Sequence, residues 1–255
     1  MSRFFVKTDP VDLRNGKIII TGEDVNHIAN VLRASAGDEI VLCDGSGTDY
    51  DVVIEHISKQ TIETSIKASK PSITEPPVSI TLFQGIPKAD KMDYVIQKCV
   101  ELGVKRIVPV MTARSVVRFG SSRDAASKTA RWNRIALEAA KQCDRGIIPA
   151  VDEPVSFDTA LKLAGGSGLK LFPYEEERNV SLRSILKKYT GAEDAETIKS
   201  AAVLIGPEGG FEQTETKKAA EAGFISVTLG PRILRTETAG LATSAIIMYE
   251  LGGMD

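Results

Sequence analysis

Apolar and polar positions alternate in several short segments of the first 70 or so residues. Four segments are rich in Ile, Val and Thr, are bounded by turn residues, and predict strands at 17–21, 39–43, 50–56 and 61–67. The turn sequence DGSG, which separates the second strand from the third, favours a hairpin. One segment has helical spacing instead, with apolar positions at Val25, Ile28, Val31 and Leu32. The pattern predicts a small β-barrel with a single helix.

Three prolines, Pro71, Pro76 and Pro77, lie close together after this region. Proline lacks an amide hydrogen and restricts φ, so such a cluster disfavours both a helix and a central strand. We therefore predict a domain boundary here, with a first domain at 1–72 and a second at 73–255.

In the second domain, apolar runs typical of buried strands alternate with segments of helical spacing. Strands are predicted at 78–83, 106–110, 169–174, 201–205 and 225–229. Helices are predicted at 89–102, 125–143, 181–188, 212–222 and 238–251. Strands and helices that alternate in this way form mostly parallel sheets covered by helices on both faces, so the predicted fold class is α/β.

Composition contributes mainly by exclusion. The 255 residues are 42% hydrophobic and 26% charged, as in ordinary soluble domains. No apolar run approaches the ~20 residues of a membrane span, and the N-terminal sequence MSRFFVK lacks the apolar stretch of a secretory signal. We therefore expect a cytoplasmic protein.

Several enzyme classes lack their characteristic residues. Cys43, Cys99 and Cys143 are too widely separated for a zinc site or a disulfide framework, and His27 and His56 are equally isolated. The GxSxG elbow of many hydrolases, the GxGxxG fingerprint of dinucleotide-binding folds and the P-loop pattern are also missing. We expect no metal and a site of another class.

Positive charge is concentrated in one part of the chain. The formal net charge is −2, yet residues 84–146 contain 13 basic and 6 acidic residues, a local excess of +7. A cationic patch attracts polyanions such as nucleic acid. Charge alone favours the alternative, a solvated helical surface, because basic runs are common on protein surfaces.

Three unusual loops follow predicted strands, at 172–175 (FPYE), 206–210 (GPEGG) and 230–237 (GPRILRTE). Ligands of parallel α/β sheets bind where the strands end. Glycine lets the backbone approach a ligand closely, and proline restricts the direction of the chain. Either Gly-Pro loop alone is more often a tight turn. Together they favour a rigid cradle for a flat heterocycle.

The residues of two of these loops resemble motifs of the SPOUT methyltransferases, in LIGPEGGF at 204–211 and LGPRILRTETA at 229–239. Further segments narrow the resemblance to the 16S rRNA (uracil-1498-N3) methyltransferases. They are HIANVLRASAGD at 27–38, KADKMDYVIQKCVELGVKRIVP at 88–109, RSVV at 114–117 and RWNRIALEAAKQCDRGIIP at 131–149. The chain departs from the pattern at Cys143 and Asp144, where small residues are expected before Arg145.

The resemblance implies an RNA-binding, PUA-like barrel followed by a mostly parallel α/β SPOUT domain with a deep C-terminal trefoil knot. It also implies a homodimer, S-adenosylmethionine as cofactor, and 16S rRNA of the 30S ribosomal subunit as substrate. The cofactor-binding residues that it implies are Phe172, Tyr174, Ile205, Gly206, Pro207, Glu208, Gly209, Gly210, Leu229, Gly230, Ile233, Leu234, Thr236 and Ala239.

Two residues are candidates for catalysis. Uracil N3 is a poor nucleophile while protonated, so the reaction needs a base or a cation that stabilises the developing negative charge. Arg235 is the candidate cation; its alternative role is to bind a phosphate of the same RNA. Glu208 is the candidate base, although we favour a structural role in which it binds loop amides. We expect the Thr236 hydroxyl to cap the last helix.

If the substrate is RNA, the basic patch and cations of the barrel are candidates for contacts that bind phosphates and position the target base. They are Arg3, Arg33, Lys88, Arg114, Arg118, Arg134, Lys141 and Arg145. Two alternatives stay open: a SPOUT enzyme that modifies a ribose 2′-hydroxyl or another RNA, and a non-catalytic RNA-binding assembly factor. Product analysis would distinguish the first alternative from uracil-N3 methylation, and failure to bind S-adenosylmethionine would favour the second alternative.

Overall fold

The computed structural model describes residues 3–6, 11–12, 15–190 and 198–254, and for 11–12 it describes the backbone alone. The chain forms two compact units. The N-terminal unit consists of the residues up to Glu75 together with Ala140–Ile148, and the C-terminal unit consists of Pro76–Ala139 and the residues from Pro149 onward. The segment Ala140–Ile148 therefore packs with a unit from which it is distant in sequence.

The N-terminal unit is built on a mixed sheet. Its strands and its helix are β1 (Arg3–Phe5), β2 (Val11–Asp12), β3 (Lys17–Thr21), α1 (Glu23–Asn26), β4 (Glu39–Cys43), β5 (Thr48–Ile57) and β6 (Thr61–Pro71). The strand order is β1-β4-β5-β6-β3-β2, in which β1 and β4 are parallel and the other neighbours antiparallel. The four predicted strands are confirmed. Strands β1 and β2, with three and two residues, are too short for a pattern to predict.

Alternation along these strands explains the core of this unit. Ile18 and Ile20 on β3 are buried, whereas Ile19 between them is exposed. Successive side chains of a strand point to opposite faces, so one face of the sheet collects the apolar residues. Val25 and Ile28 from the helical segment complete that core.

The predicted helix is wrong at its C-terminal end. After α1 the backbone continues as a π-helix at His27–Val31. Val31 is 65% exposed and Leu32 is 42% exposed. A π-helical turn holds more residues than an α-helical turn, so the apolar spacing no longer keeps these two side chains on the buried face. Arg33 then leaves the helix with a φ of +56°.

The C-terminal unit alternates strands with helices. Its elements are β7 (Ser79–Gly85), α2 (Lys91–Glu101), β8 (Arg106–Met111), α3 (Ser122–Gln142, whose last residues belong to the N-terminal unit), β9 (Ala150–Val151), β10 (Val155–Ser156), α4 (Phe157–Leu163), β11 (Leu169–Pro173), α5 (Leu182–Leu186), β12 (Ser200–Ile205), α6 (Gln213–Glu221), β13 (Ile225–Val227) and α7 (Thr236–Glu250). The strand order is β10-β8-β7-β12-β11-β13, with β9 beside β8, and every described pairing is parallel. The predicted parallel α/β fold is confirmed.

One helix and two strands of this unit were not predicted. Strands β9 and β10 have only two residues each. Helix α4 does carry a signal, because the Ser156 side chain caps it by accepting from Thr159 N, and Phe157 and Ala160 are buried at helical spacing. No helix in the described part of the chain has the length and apolar character needed to cross a bilayer.

Candidate functional site

Three loops meet at one edge of the parallel sheet. Strands β12, β11 and β13 are neighbours that run in the same direction, so the loops after them emerge at the same edge. Hydrogen bonds join the loops after β11 and β13, from Tyr174 N to Val227 O (3.0 Å) and from Thr228 N to Val180 O (2.8 Å). The structure therefore brings the candidate loops at 172–175 and 230–237 to the same edge as the loop at 206–210.

Thr236 connects helix α7 to this edge. It is the first residue of α7, and its hydroxyl donates to Gly206 O at 2.6 Å and accepts from Gln84 Nε2 at 2.8 Å. The prediction that Thr236 caps the helix is wrong, because Arg235 occupies the N-cap position without a side-chain capping bond. Thr236 instead ties together the end of β7, the loop after β12 and the start of α7.

Glycines allow the loop after β12 to curl tightly against its neighbours. A Cβ atom on Gly85 would lie 2.7 Å from Pro207, and one on Gly210 would lie 2.5 Å from Glu175 Oε1. Gly210 also has a φ of +67°, which a side chain would strain. Only glycine suits these positions, so the loop forms a closely packed backbone cradle.

Glu208 is anchored inside the cradle. Its carboxylate accepts from Lys91 Nζ at 2.9 Å and from Lys88 N at 3.1 Å. Partial burial acts to raise the pKa of Glu208, but the hydrogen bonds from Lys91 and from backbone amides outweigh it and hold that pKa below the ordinary value. A carboxylate with a lowered pKa is a weak base, so the geometry favours the structural role for Glu208.

The other candidate cofactor residues line the same edge with different exposure. Phe172 is buried, with its ring 5.9 Å from Tyr174 and 6.3 Å from Phe211. Within the third loop, Ile233 is 82% exposed and Leu234 is half-buried. The remaining candidates fall into three classes: Ile205 and Pro207 are buried, Gly206, Leu229 and Ala239 are half-buried, and Gly209 and Gly230 are exposed.

Sequence reasoning missed three residues that shape the site. Gln84 is fully buried at the end of β7, and a polar residue within an apolar strand was its signal. Lys91 also forms an ion pair with Glu237 at 3.4 Å. Glu215 accepts from Ala113 N (2.8 Å) and from Glu212 N (3.0 Å), which lies at the start of the same helix. Its position three residues after the N-cap residue Glu212 is typical of a capping box and was its signal.

Comparison with known proteins identifies the family. The family model described as "RNA methyltransferase domain" matches residues 74–248, and the "RNA methyltransferase PUA domain" matches residues 20–67. The chain is 32% identical to the ribosomal RNA small subunit methyltransferase E of Bacillus subtilis over 98% of this chain and 97% of that protein. The chain belongs to the ribosomal RNA small subunit methyltransferase E family. The predicted family and the predicted PUA-like fold of the first domain are thereby confirmed.

Solved structures of similar methyltransferases share the fold. A ribosomal RNA small subunit methyltransferase E from Neisseria gonorrhoeae, bound to S-adenosyl methionine, has a TM-score of 0.79 and 34% identity over 98% of this chain and 97% of that one. A methyltransferase from Legionella pneumophila, in complex with the bound cofactor SAM, has a TM-score of 0.77 and 29% identity over 97% and 96%. The resemblance thus extends over almost the whole chain.

Two of the arginines predicted to bind RNA are engaged within the N-terminal unit, which corrects those predictions. Arg3 donates to the Asp49 carboxylate and to Ser72 Oγ (2.8 Å). Arg145 is 3% exposed and forms a two-pronged ion pair with Glu75, at 3.1 and 2.7 Å. A buried guanidinium that binds a carboxylate cannot also reach a phosphate, so both residues stabilise the fold.

The other candidate RNA contacts lie at the surface of this methyltransferase. Arg33 is exposed in the N-terminal unit, and Arg134 and Lys141 are exposed two turns apart on one face of α3. In the C-terminal unit, Lys88 and Arg118 are exposed, and Arg114 contacts the cradle by donating to Gly209 O at 2.9 Å. Among the described residues, no cluster of His, Cys, Asp and Glu is arranged to hold a metal ion.

Proposed function

We propose that this methyltransferase transfers a methyl group from S-adenosylmethionine to N3 of one uridine in 16S rRNA, at the position that the family's 1498-type enzymes modify. The observation that carries the proposal is the intact loop cradle in a chain that belongs to the ribosomal RNA small subunit methyltransferase E family. A relative from Neisseria gonorrhoeae was crystallised with S-adenosyl methionine, which supports the same cofactor here.

The residues of the cradle suit S-adenosylmethionine. The glycine positions at which a Cβ would clash give a close-fitting backbone, and the half-buried Leu229 and Leu234 offer apolar cover for a flat heterocycle. When bound, the cofactor would supply an electrophilic methyl group. The residues that would hold it belong to the three loops and the start of α7. They are Phe172, Tyr174, Ile205–Gly210, Leu229, Gly230, Ile233, Leu234, Thr236 and Ala239.

Arg235 is the residue to which we assign the electrostatic role. Its side chain is exposed at the N-cap of α7, within the third loop. When N3 of uracil loses its proton, negative charge spreads to the two flanking carbonyl oxygens, and a guanidinium near them lowers the barrier. Glu208, held by Lys91, maintains the shape of the cradle instead of accepting the proton.

The exposed cations are assigned to the RNA. Arg33, Lys88, Arg118, Arg134 and Lys141 would bind phosphates and so determine where the substrate lies, whereas base selection depends on the pocket. Their exposure and the excess of +7 over residues 84–146 support this assignment.

We further propose the trefoil knot, the homodimer and the cytoplasmic location that the family resemblance implies. After the edge strand β13 the chain returns to the middle of the sheet, where α7 packs against α2, β7 and β12, and a threaded C-terminus needs such a return. Exposed Ile246 and Tyr249 on α7 are suited to a contact with a second copy.

The acceptor atom separates this proposal from its nearest alternatives. In a bacterial host that lacks its own member of the family, nucleoside mass spectrometry of small-subunit rRNA should detect 3-methyluridine when this gene is supplied. The variant Arg235→Ala should reduce that product by about 10²-fold or more, the typical loss when one stabilising group is removed. A 2′-O-methylated uridine would contradict the proposed acceptor, and an unmodified RNA would favour the assembly factor.

A further inference from the structure

Two side chains of opposite charge contact the cradle loop. Arg114 follows β8, donates from Nη1 to Gly209 O at 2.9 Å, and has its Cβ 3.2 Å from where a Cβ of Gly209 would lie. Glu175 follows β11 and has its Oε1 2.5 Å from where a Cβ of Gly210 would lie. A cation and an anion therefore contact two consecutive residues of the cradle.

Both charges also surround Tyr174, a candidate cofactor residue. Burial is the main reason why the pKa of Tyr174 is raised; the hydrogen bond with Glu176 and the charges of Glu176 and Glu175 raise it further, and Arg114 lowers it. Glu175 also follows Tyr174 directly in the loop after β11, so this carboxylate and the candidate cofactor residue belong to the same part of the cradle.

Neither charge is neutralised by an ion pair. Within the part of the chain that the structure describes, the carboxylate of Glu175 forms no hydrogen bond or ion pair, and the guanidinium of Arg114 bonds a neutral carbonyl. Both residues are exposed. An arginine and a glutamate beside consecutive residues of the cradle, neither of them in an ion pair, are both available to a ligand that carries one charge of each sign.

We propose that Arg114 and Glu175 recognise the amino-acid end of S-adenosylmethionine, with Arg114 binding its α-carboxylate and Glu175 its α-ammonium group. This inference rests on the proposed function and replaces the RNA contact predicted for Arg114. A guanidinium binds a carboxylate through two parallel N–H···O bonds, and a carboxylate accepts readily from an ammonium group. The glycine loop between them would carry the rest of the cofactor.

The test compares two ligands that differ at this end. Isothermal titration calorimetry measures the binding of S-adenosylmethionine and of 5′-methylthioadenosine, which lacks the amino-acid group and has a neutral sulfur in place of the sulfonium. Arg114→Gln and Glu175→Gln should each weaken S-adenosylmethionine binding by about tenfold or more, as expected for a lost hydrogen bond to a charged group. Binding of 5′-methylthioadenosine should change less than about twofold. Arg114→Lys, which keeps the charge without the planar fork, should lie in between.

Matched controls separate this effect from a general change of charge. Arg123→Gln removes the same charge from an exposed position at the start of α3, and Glu221→Gln removes a carboxylate from the end of α6; both should bind S-adenosylmethionine as the unmodified protein does. Equal weakening of both ligands by Arg114→Gln would overturn the inference, because it would show a loss of cradle shape. Unchanged S-adenosylmethionine binding would overturn it as well.

The unmodified protein provides a second test. If it bound 5′-methylthioadenosine as tightly as S-adenosylmethionine, the inference would fail while the cofactor assignment stood. If it bound neither, the proposed function itself would fail.

Discussion

At the scale of single residues, Glu75 shows how one carboxylate can organise a long-range contact. It accepts from the Arg145 guanidinium and, through Oε1, from Gly146 N at 2.8 Å and Ile147 N at 2.9 Å. Burial acts to raise the pKa of Glu75, but the arginine and the two amides outweigh it and lower that pKa below the ordinary value. This cluster attaches Ala140–Ile148 to the rest of the N-terminal unit.

Glu75→Gln should therefore reduce the free energy of unfolding by about 3 kcal/mol, because the buried Arg145 guanidinium loses its two-pronged ion pair with this carboxylate. The measurement is urea unfolding followed by circular dichroism. Glu39→Gln is the matched control, since Glu39 pairs with Lys67 at an exposed position and should lose less than about 1 kcal/mol. Similar losses in the two variants would show that the Glu75 cluster contributes no more than a surface pair.

The same pair predicts a pH dependence. Because the pKa of Glu75 is lowered on folding from an ordinary value of 4.5, its contribution is complete above that value and declines as the pH falls through the lower folded pKa. The difference in unfolding free energy between the unmodified protein and Glu75→Gln should be constant from about pH 8 to pH 5 and shrink below about pH 4.5. A difference that grew on acidification would contradict the lowered pKa of Glu75 in the folded protein.

At the scale of secondary-structure elements, Thr236 joins α7 to the cradle. Thr236→Val preserves the shape of the side chain but leaves the Gly206 carbonyl and the buried Gln84 amide each without one hydrogen bond. We expect a loss of about 1–3 kcal/mol in unfolding free energy, together with weaker S-adenosylmethionine binding. Thermal unfolding and calorimetry test this, with Thr236→Ser as the control that keeps the hydroxyl. A smaller loss in Thr236→Val than in Thr236→Ser would show that methyl packing, and not the hydroxyl, holds α7.

Elements whose character depends on local pattern could be predicted from the sequence, whereas contacts between distant residues could not. Residues 201–205 are apolar throughout and were predicted as the strand that proved to be β12. Val31 looked equally apolar, but a π-helical turn moved it to the surface. The first turn of α7 was placed too late because the partner of Thr236 lies 30 residues away. Likewise, nothing near Arg145 in sequence indicated Glu75 as its partner.

At the scale of the whole molecule, charge is unevenly distributed along the chain. The net charge is −2, but residues 84–146 carry an excess of +7, and several of these cations, among them Arg118 and Arg134, are exposed. A polyanionic substrate would be attracted by this region through counterion release, so its affinity should fall as the salt concentration rises.

The double variant Arg134→Gln/Lys141→Gln tests that attraction. The slope of log K against log salt for a 16S rRNA fragment should become shallower by roughly 0.7 to 0.9 for each phosphate contact removed. Fluorescence anisotropy at several salt concentrations gives the slope, and Lys17→Gln, whose charge is paired with Glu55, is the control. An unchanged slope in the double variant would exclude these two residues from the RNA surface.

The most direct test of the account is transfer of a radiolabelled methyl group from S-adenosylmethionine to small ribosomal subunits that lack the modification. We predict that label is incorporated and is recovered as 3-methyluridine at a single position of 16S rRNA. Label recovered on a ribose, or no label from a protein that binds S-adenosylmethionine, would contradict the proposed acceptor and substrate.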